Sequence, residues 1–405
     1  MNMATEHSDD VRILAYDLVC AAGTGIAELD VSIRSQTSGL TVNDFPNSHL
    51  ETWIGKSSGA DGFIWADEPA LQCRNNALAS ICLQQESLQS ALQQLIERFG
   101  SARIGVIIGS STAGIDRTEV AYQHLQDGKL TPEFRQPKVH NPHSPAIFVA
   151  HHCKLKGPAV TINTACSSSA KVFASAARWL RCGFVDAVLV GGMDSLCLSV
   201  IHGFHSLQLV STKPCKPFDN ARDGINLGEA AGFAFLCRAE KLDDMPHSGM
   251  RLAGYGESSD AHHMSHPHPE GEGARQAIES ALKTAGLASK DIDYINLHGT
   301  ASQANDLIEG KLVGQLFGSH SAMSSTKGWT GHTLGAAGIT EAIISMEAAR
   351  NNLVPGTLNL ESPDAALDLP LSPENQTKEL HHVMSNSFGF GGNNCCLIFS
   401  KVEGI

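Results

Sequence analysis

Apolar positions along the chain fall into short continuous runs and longer periodic ones. Residues 11–19 (VRILAYDLV), 103–109 (RIGVIIG), Ala159–Ile162 and 186–192 (DAVLVGG) predict strands, the continuous runs being those of strands covered on both faces. Between residues 75 and 99 apolar side chains recur at helical spacing (Ala79, Ile81, Leu83, Leu88, Leu92, Leu95), which predicts one long amphipathic helix. A second helical pattern covers 171–180 and closes at Gly183. Residues 127–146 are polar and hold Pro132, Pro137, Pro142 and Pro145, so an irregular excursion is expected there. After a polar junction at 243–249 the logic repeats: helix at 273–286, strand at 293–297, helix at 334–351, and a last strand or strand pair within 383–399. The expected fold class is α/β, duplicated in pattern though not in sequence identity, with halves 1–245 and 246–405.

Composition narrows the function. The chain has 405 residues, 42% hydrophobic and 18% charged, which suits a compact protein with a sizeable core. Its net charge of −13 without a basic stripe argues against nucleic-acid binding. Eleven cysteines, an odd number with no C-x-x-C pair, fit reduced thiols and a cytoplasmic location better than a disulfide framework or zinc ribbon. The polar, acidic start, Met1 to Asp10, is unlike a targeting peptide. No apolar run approaches the roughly 20 residues that span a bilayer, so no membrane role is expected.

Candidate chemistry centres on Thr164-Ala165-Cys166-Ser167-Ser168-Ser169-Ala170, where a strand ends and a helix begins. A helix N-terminus favours thiolate, the nucleophilic form of cysteine, and the small neighbours leave room for a large reactant. In the second half, His298 follows an apolar strand, and strand ends face the ligand crevice of α/β sheets. His332 sits in a glycine-rich turn that opens the 334–351 helix. A tract rich in histidine (His262, His263, His266, His268) matches no standard ligand spacing, and no metal is assigned to it. The GFGG and GTG stretches lack the pattern of a dinucleotide site.

Five segments, TACSSSA, PFDNARDGINLGEAAG, LHGTASQANDLIEG, STKGWTGHTLGAAGITEA and MSNSFGFGGNN, resemble the β-ketoacyl-acyl-carrier-protein synthases, elongating condensing enzymes of the thiolase superfamily. The resemblance runs nearly the whole chain, in order. It implies a thiolase-like duplicated five-layer αβαβα architecture and decarboxylative Claisen condensation of malonyl-acyl-carrier protein with an acyl group held on Cys166. By the same resemblance His298 and His332 act on the malonyl thioester, supported by Lys327 and Glu341, with Asp306 and Glu309 as an acidic pair. Phe390 is implied as a mobile gate whose backbone N–H joins that of Cys166 in an oxyanion hole. Thr300, Ser302, Phe388, Gly389 and Gly391 are implied around the substrate.

The resemblance implies no cofactor bound by the chain itself, the phosphopantetheine coming with an acyl carrier protein. It implies a dimer, either a homodimer or a heterodimer with a related ketosynthase or chain-length subunit, formed beside the cysteine strand. Basic docking residues for the carrier are sought at Lys129, Arg135 and Lys138, or at Lys213 and Lys216. Two departures stand out. Ser302 and Gln303 replace the family's threonine and proline, which is expected to loosen that loop, and Ala15-Tyr16-Asp17 replaces a glycine-rich first turn. They point to a specialised branch of secondary metabolism, for instance one making polyenes.

Three rivals are weighed. A degradative thiolase needs a second cysteine where Phe390 stands, with Cys395 and Cys396 lying further on. The initiating type of condensing enzyme has an asparagine in place of His332. A non-catalytic pocket-shaping subunit usually loses the nucleophile, which is retained here as Cys166.

Overall fold

The computed structural model describes residues 10–62, 68–243 and 245–402. Apart from Asp10, the polar N-terminal segment lies outside the described residues, as does Asp244 of the junction. Ten strands carry the framework: β1 Val11–Cys20, β2 Ile104–Gly109, β3 Ala159–Ile162, β4 Ala187–Asp194 and β5 Ala230–Arg238, then β6 Met250–Ser259, β7 Tyr294–Asn296, β8 Ala322–Ser324, β9 His382–Gly389 and β10 Asn393–Lys401.

Their spatial order is β1-β5-β4-β2-β3 in the first set and β6-β10-β9-β7-β8 in the second. The directions match too: the first two pairings of each set are antiparallel and the last two parallel. The duplication read from pattern is therefore real in topology. A short antiparallel pairing of β1 with β6, Val11 opposite Leu252, joins the two sets edge to edge.

Helices complete five layers. The first set is covered outside by α1 Arg74–Leu83, α2 Glu86–Phe99 and α3 Ser144–His152, and the second by α5 Glu272–Ala285 and α6 Gln303–Phe317. Between the sheets lie α4 Ser168–Arg181 and α7 Ala337–Asn351, each touching strands of both sets. A helix buried on all sides needs no polar face, and α7 is buried from Ala337 to Ala349. Its polar members find partners inside: Ser345 Oγ donates to Glu341 O at 2.7 Å, and Tyr16 on β1 donates to Glu347 at 2.6 Å. Among the described residues no helix is long and apolar enough to cross a membrane.

Two expectations need correction. The segment 75–99 is two helices rather than one, because Gln85 is extended (φ −63°, ψ 137°) and its carbonyl accepts from Leu88 and Gln89 to start a new helix. The break lets α1 bury nearly all its residues while α2 buries one stripe. The excursion at 127–146 is irregular only in part: it contains a helical turn, Pro137–His140, and its last residues open α3.

Central helices α4 and α7 approach closely through small residues. A Cβ on Gly338 would stand 2.4 Å from the Ala170 nitrogen and 2.8 Å from its Cβ. Gly338→Ala should therefore destabilise by about 1–3 kcal/mol, the usual cost of overpacking. By contrast, a Cβ added to Gly203, in the helix Leu198–Ser206, would meet nothing within 4 Å, and Gly203→Ala should be neutral or stabilise by up to about 1 kcal/mol. Thermal unfolding of both variants checks this; a Gly338→Ala midpoint equal to wild type would contradict the packing.

Candidate active site

Cys166 follows β3 and precedes α4; in the second half, the turn carrying His332 follows β8 and precedes α7. The two thus occupy corresponding places in the repeat. His298 comes from the end of β7, and Phe388 and Gly389 close β9, so four segments meet at the inner ends of both sheets. The loops of Cys166, His298 and His332 each hold a non-glycine residue with left-handed backbone: Ala165 (φ 51°), Ala301 (φ 64°) and Leu334 (φ 57°). Such strain persists only where surrounding structure over-determines it, and it concentrates at functional sites.

His332 Nε2 lies 3.0 Å from Cys166 Sγ. The Leu334 N–H donates to His332 Nδ1 at 3.2 Å, so in the neutral ring the proton is on Nε2 and points at the sulfur. The His298 ring stands edge-on to His332, centroids 5.5 Å apart, and its Nδ1 has no hydrogen-bond partner. Among the described residues, Cys166, His298 and His332 form the group of three potential ligands that meet within 4.8 Å. They could hold a soft ion, but the proton on Nε2 is already directed at the sulfur. Burial, reinforced by the Lys327 charge, holds both imidazoles well below their ordinary range; both are neutral donors at pH 7.

The remaining polar groups position these three. Lys327 Nζ donates to the His298 carbonyl and to Glu341 Oε1, a contact sealed from water. Glu309 accepts from the backbone N–H groups of His298 and Gly299, both at 2.8 Å. Asp306 accepts from Phe218 and Ala301 N–H at 2.8 and 3.1 Å. The acidic pair thus staples the loop that carries His298 and reaches no reacting atom. Burial pushes Glu309 and Glu341 each up to about 7. Thr300 and Ser302 hydroxyls face each other at 2.9 Å on the cavity wall. Where the family has proline, Gln303 starts α6, its amide donates to the Arg222 carbonyl, and the Arg222 guanidinium donates to Gln303 O.

The sulfur itself departs from expectation. Burial pushes the Cys166 thiol up to about 11, outweighing the Phe390 backbone N–H and the Lys327 charge, which act the other way. The helix start does not offset this desolvation; its Ser168 and Ala170 N–H groups donate to the Ala165 and Ser167 carbonyls. The resting sulfur is a thiol.

A cavity of about 360 Å³ opens onto Cys166, His298 and His332. Thr300, Ser302, Phe388, Gly389, Phe390 and Gly391 line it. Phe204, Leu207, Leu209 and Ile225 also line it; no periodicity marked them, and their one sequence signal is an apolar cluster beside the PFDNARDG motif. Phe390 stacks on Phe204 at 5.7 Å. Asp194, also missed, accepts from Ser111 and Thr112 N–H and from Gly335 N–H, tying the His332 turn to the first half. An acid ending the apolar run of β4 was its signal.

A duplicated five-layer fold whose two halves meet at a buried thiol and two neutral imidazoles is the architecture of the thiolase-like condensing enzymes. Two models of the β-ketoacyl synthase family match, the N-terminal domain over residues 9–241 and the C-terminal domain over 250–361. The chain is 37% identical over 328 residues to 3-oxoacyl-acyl-carrier-protein synthase 2 of Coxiella burnetii, covering 76% of this chain and 77% of that one. It is 39% identical over 319 residues to the enzyme of the same name from Rhizobium meliloti, covering 74% of each. Among solved structures, a ketosynthase (ApeO) in complex with its chain length factor (ApeC) from Xenorhabdus doucetiae superposes with a TM-score of 0.86 at 34% identity, covering 99% of this chain and 100% of that one. The chain belongs to the β-ketoacyl synthase family and is an acyltransferase-type condensing enzyme.

A thiol held near 11 reacts more slowly at neutral pH than an activated one, since only the thiolate attacks. The rate of Cys166 alkylation by iodoacetamide in the resting enzyme should climb about tenfold per pH unit from pH 7 to 9 without levelling. A plateau below pH 8 would show that the thiolate is already formed.

Proposed function

We propose that the chain elongates a carrier-bound acyl group by two carbons through decarboxylative condensation, the first half (1–245) supplying the nucleophile and the second (246–405) the histidines. The observation that carries this reading is the meeting of Cys166, His298 and His332 within 4.8 Å at a largely apolar cavity. In the first step Cys166 sulfur attacks the thioester carbonyl of an acyl carrier protein. A sulfur–carbon bond forms, the carrier thiol leaves with the proton, and the acyl group stays on the enzyme. In the second, the carboxylate–carbon bond of a malonyl carrier breaks, releasing carbon dioxide and an enolate. The Nε2–H of His332 and the His298 ring stabilise the enolate oxygen as charge develops. In the third, the enolate carbon attacks the Cys166 thioester, whose oxyanion the N–H groups of Cys166 and Phe390 receive. Collapse expels the sulfur as thiolate, which takes a proton from water to restore the Cys166 thiol, and leaves a β-ketoacyl carrier. The chemistry draws on the phosphopantetheine thiol of the partner, with no metal in any step.

The remaining partner is a second ketosynthase-like chain. The structure of the Xenorhabdus doucetiae relative is one of a ketosynthase with its chain length factor, which favours a heterodimer here. Strand β3 supports the expected contact, pairing on one side with β2 while its half-buried residues edge the sheet. For the carrier, Lys138 and Lys216 are already paired with Glu68 and Glu361, leaving Lys129, Arg135 and Lys213 as docking charges. The departures at Ser302 and Tyr16 support a secondary-metabolic role in the cytoplasm, for instance one making polyenes, over one in housekeeping fatty acid synthesis.

Cys166→Ala should take up no acyl group from a loaded carrier protein, read as intact mass, whereas wild type gains one acyl adduct; an adduct on the variant would remove the nucleophile assignment. His298→Ala and His332→Ala should slow malonyl decarboxylation by roughly 10²–10⁴-fold while sparing acylation more, and equal loss of both would mean a structural role. For the gate, Phe390→Ala should raise the carbon dioxide released per carbon–carbon bond formed, because malonyl groups then reach an unloaded cysteine. An unchanged ratio means that Phe390 only packs on Phe204.

A further inference from the structure

The histidine tract forms part of the cavity mouth: Ser265, His266 and Pro267 line it. His263 Nδ1 and His266 Nδ1 stand 3.2 Å apart, with ring centroids at 4.8 Å and planes inclined by 70°. Ser265 Oγ lies 3.2 Å from the second nitrogen and 3.5 Å from the first, and the Ser265 N–H donates to His263 Nδ1. Both rings are exposed. With neutral rings, one Nδ1 must carry a proton and hand it to the other, as in any close imidazole pair.

We propose that His263 and His266 are a binding site for a divalent transition-metal ion of the imidazole-preferring kind, Zn²⁺ being the simplest. An ion at the usual 2.0–2.1 Å from two nitrogens at this separation subtends about 100° between them, close to the tetrahedral value. It takes the place of the shared proton, which moves to Nε2 of its own ring by tautomerisation, and displaces the Ser265 N–H from His263 Nδ1, with Ser265 Oγ and water available for the other positions. The neighbouring rings, His262 and His268, are edge-on with centroids 5.1 Å apart, and no nitrogen-to-nitrogen contact joins them among the described residues.

The site matters because of what it is tied to. The Met264 carbonyl, between the two ligands, accepts the Gly391 N–H at 2.8 Å. Asp260 at the start of the tract accepts from His268 N–H and from Asn394, and its own N–H donates to Gly392 O. An ion bridging 263 and 266 closes a ring around Met264 and Ser265 and stiffens the segment braced against the Phe390 turn. It acts as a reversible brake on entry to Cys166; this regulatory part rests on the gate reading, whereas binding itself does not.

Titration calorimetry with ZnCl₂ on the full chain tests the site. Wild type and Cys166→Ala should each bind one equivalent through the loop. His263→Ala and His266→Ala should weaken that binding by well over about tenfold, since loss of even an outer-shell partner costs 10–100-fold. Circular dichroism of the variants should match wild type, both positions being exposed. If Zn²⁺ binds equally well to both histidine variants and is lost in Cys166→Ala, the ion prefers the Cys166–His298–His332 cluster and the proposal is overturned. Absence of saturable binding to wild type overturns it as well. For the brake, Zn²⁺ should slow acyl transfer to Cys166, read as intact mass, in wild type and not in the His263→Ala/His266→Ala double variant. Equal slowing in both would overturn the regulatory part.

Discussion

The contact on which the site depends is the backbone-to-backbone approach of α4 and α7, one helix from each half. At Gly338 there is no room for a single methyl group against Ala170, and Ile339 N–H donates to Ser169 Oγ at 2.9 Å across the same seam. Each helix starts a few residues after a reactive turn, Cys166 for α4 and His332 for α7. Fixing the helices against each other therefore fixes the sulfur against the imidazole at 3.0 Å. Asp194 extends the same seam by gathering N–H groups from both halves.

Water exclusion at that seam sets the electrostatics. It forces both imidazoles neutral, keeps the sulfur protonated and drives Glu309 and Glu341 upward. Lys327 opposes only part of this, and it does so while holding the His298 carbonyl in place. The result suits a site that must stabilise negative charge on arriving oxygens rather than carry charge at rest, because fixed donors in a dry cavity act most strongly on charge that develops during reaction. Access is then the natural point of control. Phe390, whose backbone N–H reaches the sulfur, is flanked by Gly391 with φ 77°, a conformation that favours glycine.

The sequence by itself determined the alternation of strands and helices, its repeat, and the candidate nucleophile and imidazoles: Cys166 and His332 lie in small or glycine-rich turns at helix starts, and His298 at a strand end. Lys327 and Phe390 followed only from the family resemblance, and strands β5, β6 and β8 and helices α3 and α6 carried no such mark. Local backbone preferences and burial periodicity act over a few residues, so they are legible in one dimension. Tertiary structure alone decided the ionisation of Cys166, because desolvation comes from walls contributed by four distant segments and overrides a helix start only two residues away. It also decided that residues 75–99 bend at Gln85, that Gln303 bonds to the Arg222 carbonyl, and that Phe204, Leu207 and Leu209 face the cavity. Those outcomes depend on which surfaces come into contact after folding, and no periodicity along the chain records that.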